Sequence, residues 1–247
     1  MITYPKYNLK VFQTEDDLAV AAAQLIIHIA TDSIRSRGRF VISLSGGETP
    51  KKLYTLLSQP SFCDQIQWDK TFVFWGDERC VPLDDERNNA HQAKLLFLDK
   101  VGIPESNIYT IPVNLPAVDA AVKYANEIND FFGNNPFQFD VILLGLGING
   151  HTASLFPGTE VLDERVAGVR AIFIEEEGMD RITLTAPLIN LAHNILFMVT
   201  GNEKANTLER VLNGIYQPDK YPAQLIKPAS GKLLWYIDSS AASLLTV

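Results

Sequence analysis

Two cysteines, Cys63 and Cys80, are all that this 247-residue chain offers for cross-linking. They form no CxxC or zinc spacing, so no disulfide framework is implied and reduced thiols are expected. Histidine is scarce too. His28, His91, His151 and His193 fall in no HExxH or similar ligand pattern, so no metal site is expected. The GxSxG nucleophile elbow is missing, since Ser45 is followed by Gly46-Gly47. The Walker phosphate loop is missing as well: Gly231-Lys232 lacks the upstream glycine and the following Ser or Thr. Positive charge is short. Lys and Arg number 21 against 29 Asp and Glu, for a formal charge of −8. That argues against non-specific binding to nucleic acid or an anionic membrane. It leaves an anionic small substrate open, because a few local donors override net charge at close range.

Long apolar runs are lacking as well. The opening MITYPKYNLKVF has no basic-then-apolar signal layout. The most apolar helix-like segment, Leu18 to Ala30, contains Gln24 and His28 and reads as too short to span a bilayer. No Gly/Ser- or Pro-rich linker, repeat or low-complexity tract divides the chain. Residues 1–247 therefore read as one soluble domain, expected in the cytoplasm. Hydrophobic content of 47% is enough for a sizeable core.

What is present is an alternation of strands and helices. Thr14 and Asp17 form a capping-box-like start to an alanine-rich helix ending near Gly38. Phe40 to Leu44 reads as a buried strand, and Thr49 as the N-cap of a helix with Pro50 at its first position, running to about Leu57. Thr71 to Trp75, Val141 to Leu144, Val169 to Ile174, Ile182 to Leu184, Ile195 to Thr200 and Leu233 to Ile237 are further strands. Asn88 to Leu98, Ala117 to Phe132 and Glu203 to Leu212 read as helices. The pattern is α/β: a three-layer, Rossmann-like fold with a mainly parallel sheet and helices on both faces.

Three constellations carry candidate chemistry. Ser45-Gly46-Gly47-Glu48-Thr49-Pro50 joins a strand to a helix N-terminus, where free N–H groups and the helix dipole favour an anion. A plain strand-to-helix turn has the same composition, and an inward Glu48 would oppose phosphate. Asp77-Glu78-Arg79 follows the second strand. Three charges at a strand end are not expected in a core. Arg79 suits an oxyanion or phosphate and Asp77 a base or cation partner; a solvated loop with a local ion pair is the other reading. Gly145-Leu146-Gly147-Ile148-Asn149-Gly150 matches GxGxxG, but Pro157 and Gly158 interrupt the helix that nicotinamide binding needs. Instead it delivers His151 to the carboxyl end of a buried strand, where open α/β sheets bind ligands.

In their order, SLSGGETPKKLY (43–54), FWGDERCVP (74–82) and LGLGINGHTASLFPG (144–158) resemble the lactonase branch of the glucosamine-6-phosphate isomerase/6-phosphogluconolactonase family. RITLTAPLIN (181–190), VTGNEKANTLERVL (199–212), PAQLIKP (222–228) and LWYID (234–238) fit the same pattern, so the likeness runs from Phe40 almost to the end. The resemblance implies cofactor-free opening of 6-phospho-D-glucono-1,5-lactone to 6-phosphogluconate in the oxidative pentose phosphate pathway. It implies a sugar-phosphate substrate as partner and a monomer or weak homo-oligomer. His151 would be the base, with Arg79 and Asp77 beside it. Ser45, Gly46, Gly47, Thr49 and Lys204 would hold the phosphate, Arg181 would be a further anion ligand, and Asn149 and Gly150 would support the histidine. The isomerase pattern has an acidic strand end followed by Tyr where this chain has Asp77-Glu78-Arg79, and Asn-Glu-Pro where it has Leu155-Phe156-Pro157. An isomerase/deaminase activity and a non-catalytic sugar-phosphate-binding protein are the alternatives. Two positions depart from the family: Glu48 stands for its usual Ser, and Asn149 for its usual Asp.

Overall fold

Thr14 caps the first long helix as its sequence predicts: its hydroxyl accepts the Asp17 N–H at 3.1 Å, and the Asp17 carboxylate accepts the Thr14 N–H at 3.2 Å. The computed structural model that reveals this describes residues 2–4, 8–133 and 138–245, without the side chains of 2–4. Strands β1 (Ile2–Tyr4) and β2 (Leu9–Phe12) precede that helix, α1 (Glu15–Arg37). Then come β3 (Phe40–Leu44), α2 (Thr49–Leu57), the single turn α3 (Pro60–Cys63), β4 (Thr71–Trp75) and β5 (Asp77–Arg79). Next are α4 (Asn89–Leu96), α5 (Ala117–Phe132), β6 (Val141–Leu144), β7 (Val169–Ile174) and β8 (Met179–Leu184). The short α6 (Ala186–Ile189), β9 (Asn194–Val199), α7 (Ala205–Asn213) and β10 (Lys232–Asp238) complete the chain.

The main sheet has the order β1-β2-β10-β9-β6-β3-β4. Six of its strands are parallel, and β1 is antiparallel at the edge. From β3 the chain moves outward to β4; from β6 it moves the opposite way, through β9 to β10. The order thus reverses between β3 and β6, and the loops leaving their carboxyl ends diverge around a crevice. A second, antiparallel sheet has the order β5-β8-β7. Gly76 alone separates β4 from β5, and it is bonded into both sheets. Its N–H donates to the Leu44 carbonyl of β3 at 2.9 Å, and its carbonyl accepts the Leu184 N–H of β8 at 2.9 Å.

Helices flank the main sheet, and α5 packs against the small one. The buried face of α1, including Leu18, Ala22, Ile26 and Ile29, lies in the core. At 23 residues α1 outruns the segment read from sequence and is long and apolar enough to cross a membrane. Half of its most apolar stretch is instead buried within the fold. The Asp140 carboxylate, just before β6, accepts the Val41 N–H of β3 at 2.7 Å and pairs with Arg37. It thereby ties the two strands on either side of the crevice to the end of α1.

Several boundaries differ from the sequence reading. Strands β1 and β2 were not expected. Thr49 is the first residue of α2 and not its cap, and its hydroxyl pairs with that of Thr200 at 2.8 Å; Glu48 holds the cap position without a side-chain cap bond, its carboxylate pairing with Lys51. Asn88 is a true N-cap, its side chain accepting the His91 N–H at 2.9 Å, so α4 begins one residue later than predicted and ends at Leu96. A 3-10 turn over Asn202–Lys204 precedes α7, which therefore starts at Ala205 and not Glu203. The acidic motif departs most: Asp77 and Glu78 are 5% and 1% exposed, in a strand and not a solvated loop.

Candidate active site

The crevice between β3 and β6 opens into a cleft of about 400 Å³. Ser45, Gly46, Gly47, Thr49, Asp77, Arg79, His151, Arg181 and Lys204 all line it. Asn149 and Gly150 do not. Asn149 lines a neighbouring cavity of about 750 Å³ on the other side of the same turn, with Arg210 and Lys220. The Gly150 carbonyl accepts the Ala223 N–H at 3.0 Å.

The turn after β6 is built to carry the imidazole. The Gly147 N–H donates to the His151 carbonyl at 2.8 Å, and the Thr152 hydroxyl to the Gly145 carbonyl at 2.8 Å. The ring lies so close to Gly147 that a Cβ there would sit 2.2 Å from His151 Cε1 and Nδ1. The ring also stacks on Phe156, with centroids 4.1 Å apart and planes 17° from parallel. Asn149 Oδ1 accepts the His151 backbone N–H at 3.2 Å and lies 2.6 Å from Nδ1. An atom that accepts from an amide N–H is the carbonyl oxygen, so Nδ1 must carry the proton toward it. The Nε2 lone pair is then free. Burial pushes the His151 pKa down to about 4; Asp77 and Glu177 oppose this, while Arg181 and Lys204 add to it. The ring is neutral throughout the physiological range.

The second wall is β5. Alternation along a strand sends Asp77 and Arg79 to the cleft and Glu78 to the opposite face. In register, Arg79 lies opposite Arg181 and Asp77 opposite Thr183. Two guanidiniums face to face repel. Arg181 is neutralised by Glu177, with which it makes two hydrogen bonds, and by Asp77 at 3.7 Å. It is 6% exposed and lines the cleft, with its charge balanced by these two carboxylates. Asp77 also accepts the Ser154 hydroxyl at 2.6 Å. Arg79 makes no ion pair among the described residues. One of its nitrogens donates to Asn89 Oδ1 at 2.8 Å and to the Arg87 carbonyl at 2.9 Å.

The loop after β3 has the features of an anion site. The Ser45 N–H and carbonyl are both taken by the Tyr54 hydroxyl, at 3.1 and 2.6 Å. The N–H groups of Gly46 and Gly47 meet no acceptor among the described residues and precede the α2 N-terminus. Gly46 is needed for close approach, since a Cβ would lie 1.9 Å from Asn89 Oδ1. Glu48 points outward to Lys51 at 2.6 Å, so its carboxylate does not oppose an anion here. Half-buried Lys204 has no carboxylate partner among the described residues. Glu78, Asn89, Ser154, Phe156 and Glu177 are the contributors that the sequence reading did not assign. Only Ser154 acts through a partner distant in the chain, Asp77; the others meet partners within a dozen residues, across turns that the residue types alone do not signal.

The chain matches the family model described as glucosamine-6-phosphate isomerases/6-phosphogluconolactonase over residues 13–235. It is 40% identical to a 6-phosphogluconolactonase of a Nostoc species, over 98% of this chain and 100% of that protein. It is 43% identical to a 6-phosphogluconolactonase of a Synechocystis species, over 85% and 87%. The solved structure of 6-phosphogluconolactonase from Trypanosoma cruzi superposes with a TM-score of 0.86 at 27% identity, over 100% of this chain and 99% of that one.

Proposed function

The chain belongs to the glucosamine-6-phosphate isomerase/6-phosphogluconolactonase family, and from that membership we propose that it hydrolyses 6-phospho-D-glucono-1,5-lactone by histidine-assisted attack of water. It is a lactone hydrolase, a 6-phosphogluconolactonase of the pentose phosphate pathway. The observation that carries the histidine step is the fixed tautomer of His151, with its free Nε2 in the same cleft as Lys204 and the Gly46–Gly47 N–H groups.

In this reading the substrate phosphate lies against the Gly46 and Gly47 N–H groups and Lys204. The lactone carbonyl lies near His151 and Arg79. Nε2 takes a proton from water as its oxygen attacks the carbonyl carbon, and the carbonyl electron pair becomes an oxyanion facing Arg79. Collapse of that intermediate breaks the bond to the ring oxygen. The imidazolium, made acidic by its burial, delivers the proton to that oxygen as it leaves. General-base help contributes about 10²–10⁴-fold, and an oxyanion donor about 10²–10³-fold. Asp77, bound by Ser154 and Arg181, acts as the wall's anchor in this scheme. A cytoplasmic site of action is part of the same proposal.

The test is a coupled assay in which the lactone is generated in situ and its loss is followed against spontaneous hydrolysis. Loss above background, without ammonium release from glucosamine 6-phosphate, is expected. Ammonium release without lactone hydrolysis would put the protein on the isomerase side of the family, and the absence of both activities would overturn the catalytic reading.

A further inference from the structure

Glu78 is a carboxylate that the reaction above does not use, and it is 1% exposed. It makes no ion pair among the described residues. Its Oε1 accepts the Arg79 N–H at 2.8 Å and the Asn89 N–H at 2.8 Å, and its Oε2 accepts the Ala90 N–H at 2.9 Å. Asn89 and Ala90 are the first two residues of α4, where helix N–H groups have no partner within the helix. The Asn88 cap takes only the His91 N–H, and Glu78 takes the two that precede it. What Glu78 adds is a fixed placement of Asn89. The Asn89 side chain donates to the Asp77 carbonyl at 3.0 Å and accepts from Arg79 at 2.8 Å, while its Oδ1 closes against Gly46.

We propose that Glu78 is a positioning residue, which through Asn89 aims the Arg79 guanidinium into the cleft. The inference rests on the reading of Arg79 as the oxyanion donor. A carboxylate suits the task because it offers acceptors only, and three N–H groups converge on it. A glutamine turns its own N–H₂ group toward one of those donors. Burial without a counter-charge has a cost: desolvation pushes the Glu78 pKa up to about 7, against the pull of its three backbone bonds. The fold keeps a buried carboxylate beside the cleft in spite of that cost.

The test is steady-state kinetics on the full chain for wild type, Glu78→Gln, Arg79→Ala and the double variant, with the lactone made in situ and Tm recorded alongside. Glu78→Gln is expected to lower kcat about 10–100-fold, because small misplacements cost that much, with KM within about twofold. On the Arg79→Ala background the same change is expected to cost little more, since its target is gone. A kcat unchanged by Glu78→Gln, or an equal loss on both backgrounds, overturns the proposal. If Glu78→Gln fails to fold, Asn89→Ala takes its place in the cycle. It cuts the same relay and leaves the backbone bonds to Glu78 intact, and additivity with Arg79→Ala again overturns the proposal. An Arg79→Ala enzyme of full activity sinks the oxyanion reading itself, and so marks a different failure.

Discussion

Asn149 Oδ1 serves both the backbone N–H and the ring Nδ1 of His151, at 3.2 and 2.6 Å. One neutral oxygen thus orients the imidazole and selects its tautomer without lending it charge. A carboxylate in the same place would do both.

Asn149→Asp is therefore expected to raise the His151 pKa from about 4, because an adjacent carboxylate favours imidazolium. The acidic limb of the rate profile should move to higher pH with it. An NMR titration of the His151 ring checks this directly. An unmoved midpoint means that the two side chains do not meet in solution.

His151→Ala is expected to lower kcat by about 10²–10⁴ with the fold intact. Gly147→Ala should produce a loss of the same kind while sparing the imidazole itself, since the new methyl would occupy the place of the ring. Kinetics and Tm on both variants check the pair. Near-full activity in His151→Ala would remove the base and make Asp77 the leading candidate.

Lys204→Ala is expected to raise KM with a smaller change in kcat. One charge-assisted contact of about 1.5–3 kcal/mol is lost, which is roughly 10–100-fold in affinity. Saturation curves for the phosphorylated lactone decide it; an unchanged KM would take Lys204 out of phosphate binding.

Stability should respond to pH through two groups of opposite sign. Unfolded histidine takes a proton below its ordinary 6.5, but folded His151 refuses it until about 4, so its contribution falls as pH drops between those values. Folded Glu78 takes a proton at about 7 and the unfolded side chain only at 4.5, so its contribution rises as pH drops across that window. Relative to wild type, Tm of His151→Ala should climb on going from pH 6.5 to 4.5, and Tm of Glu78→Gln should fall. Melting curves across this range test it, and difference curves of the same sign would refute it.

The main sheet was legible where strands are continuous apolar runs, as in Val141 to Leu144, because burial on both faces demands that composition. Strand β2 was not, since its four residues LKVF include Lys10, and only Leu9 and Phe12 are buried. Strand β5 reads as a charged loop because the groups that satisfy its carboxylates lie outside the motif: Ser154 and Arg181 for Asp77, and the first N–H groups of α4 for Glu78. The cap of α2 was misplaced for a similar reason, its threonine hydroxyl being claimed by Thr200 across the cleft. Glycine-flanked His151 was legible because strand-end position and residue type coincide in one short segment. The Asn89 relay to Arg79 has no local signature at all.

The peptide at Gly76, bonded on one side to Leu44 and on the other to Leu184, sets a length. The anion loop, Lys204 and His151 are mounted on the large sheet, while Arg79 belongs to the small one. The placement of Arg79 relative to the anion loop and His151 is therefore set by backbone, as between the jaws of a fixed caliper. Resetting that gap calls for changes where the sheets join, before any change to the side chains that line the cleft.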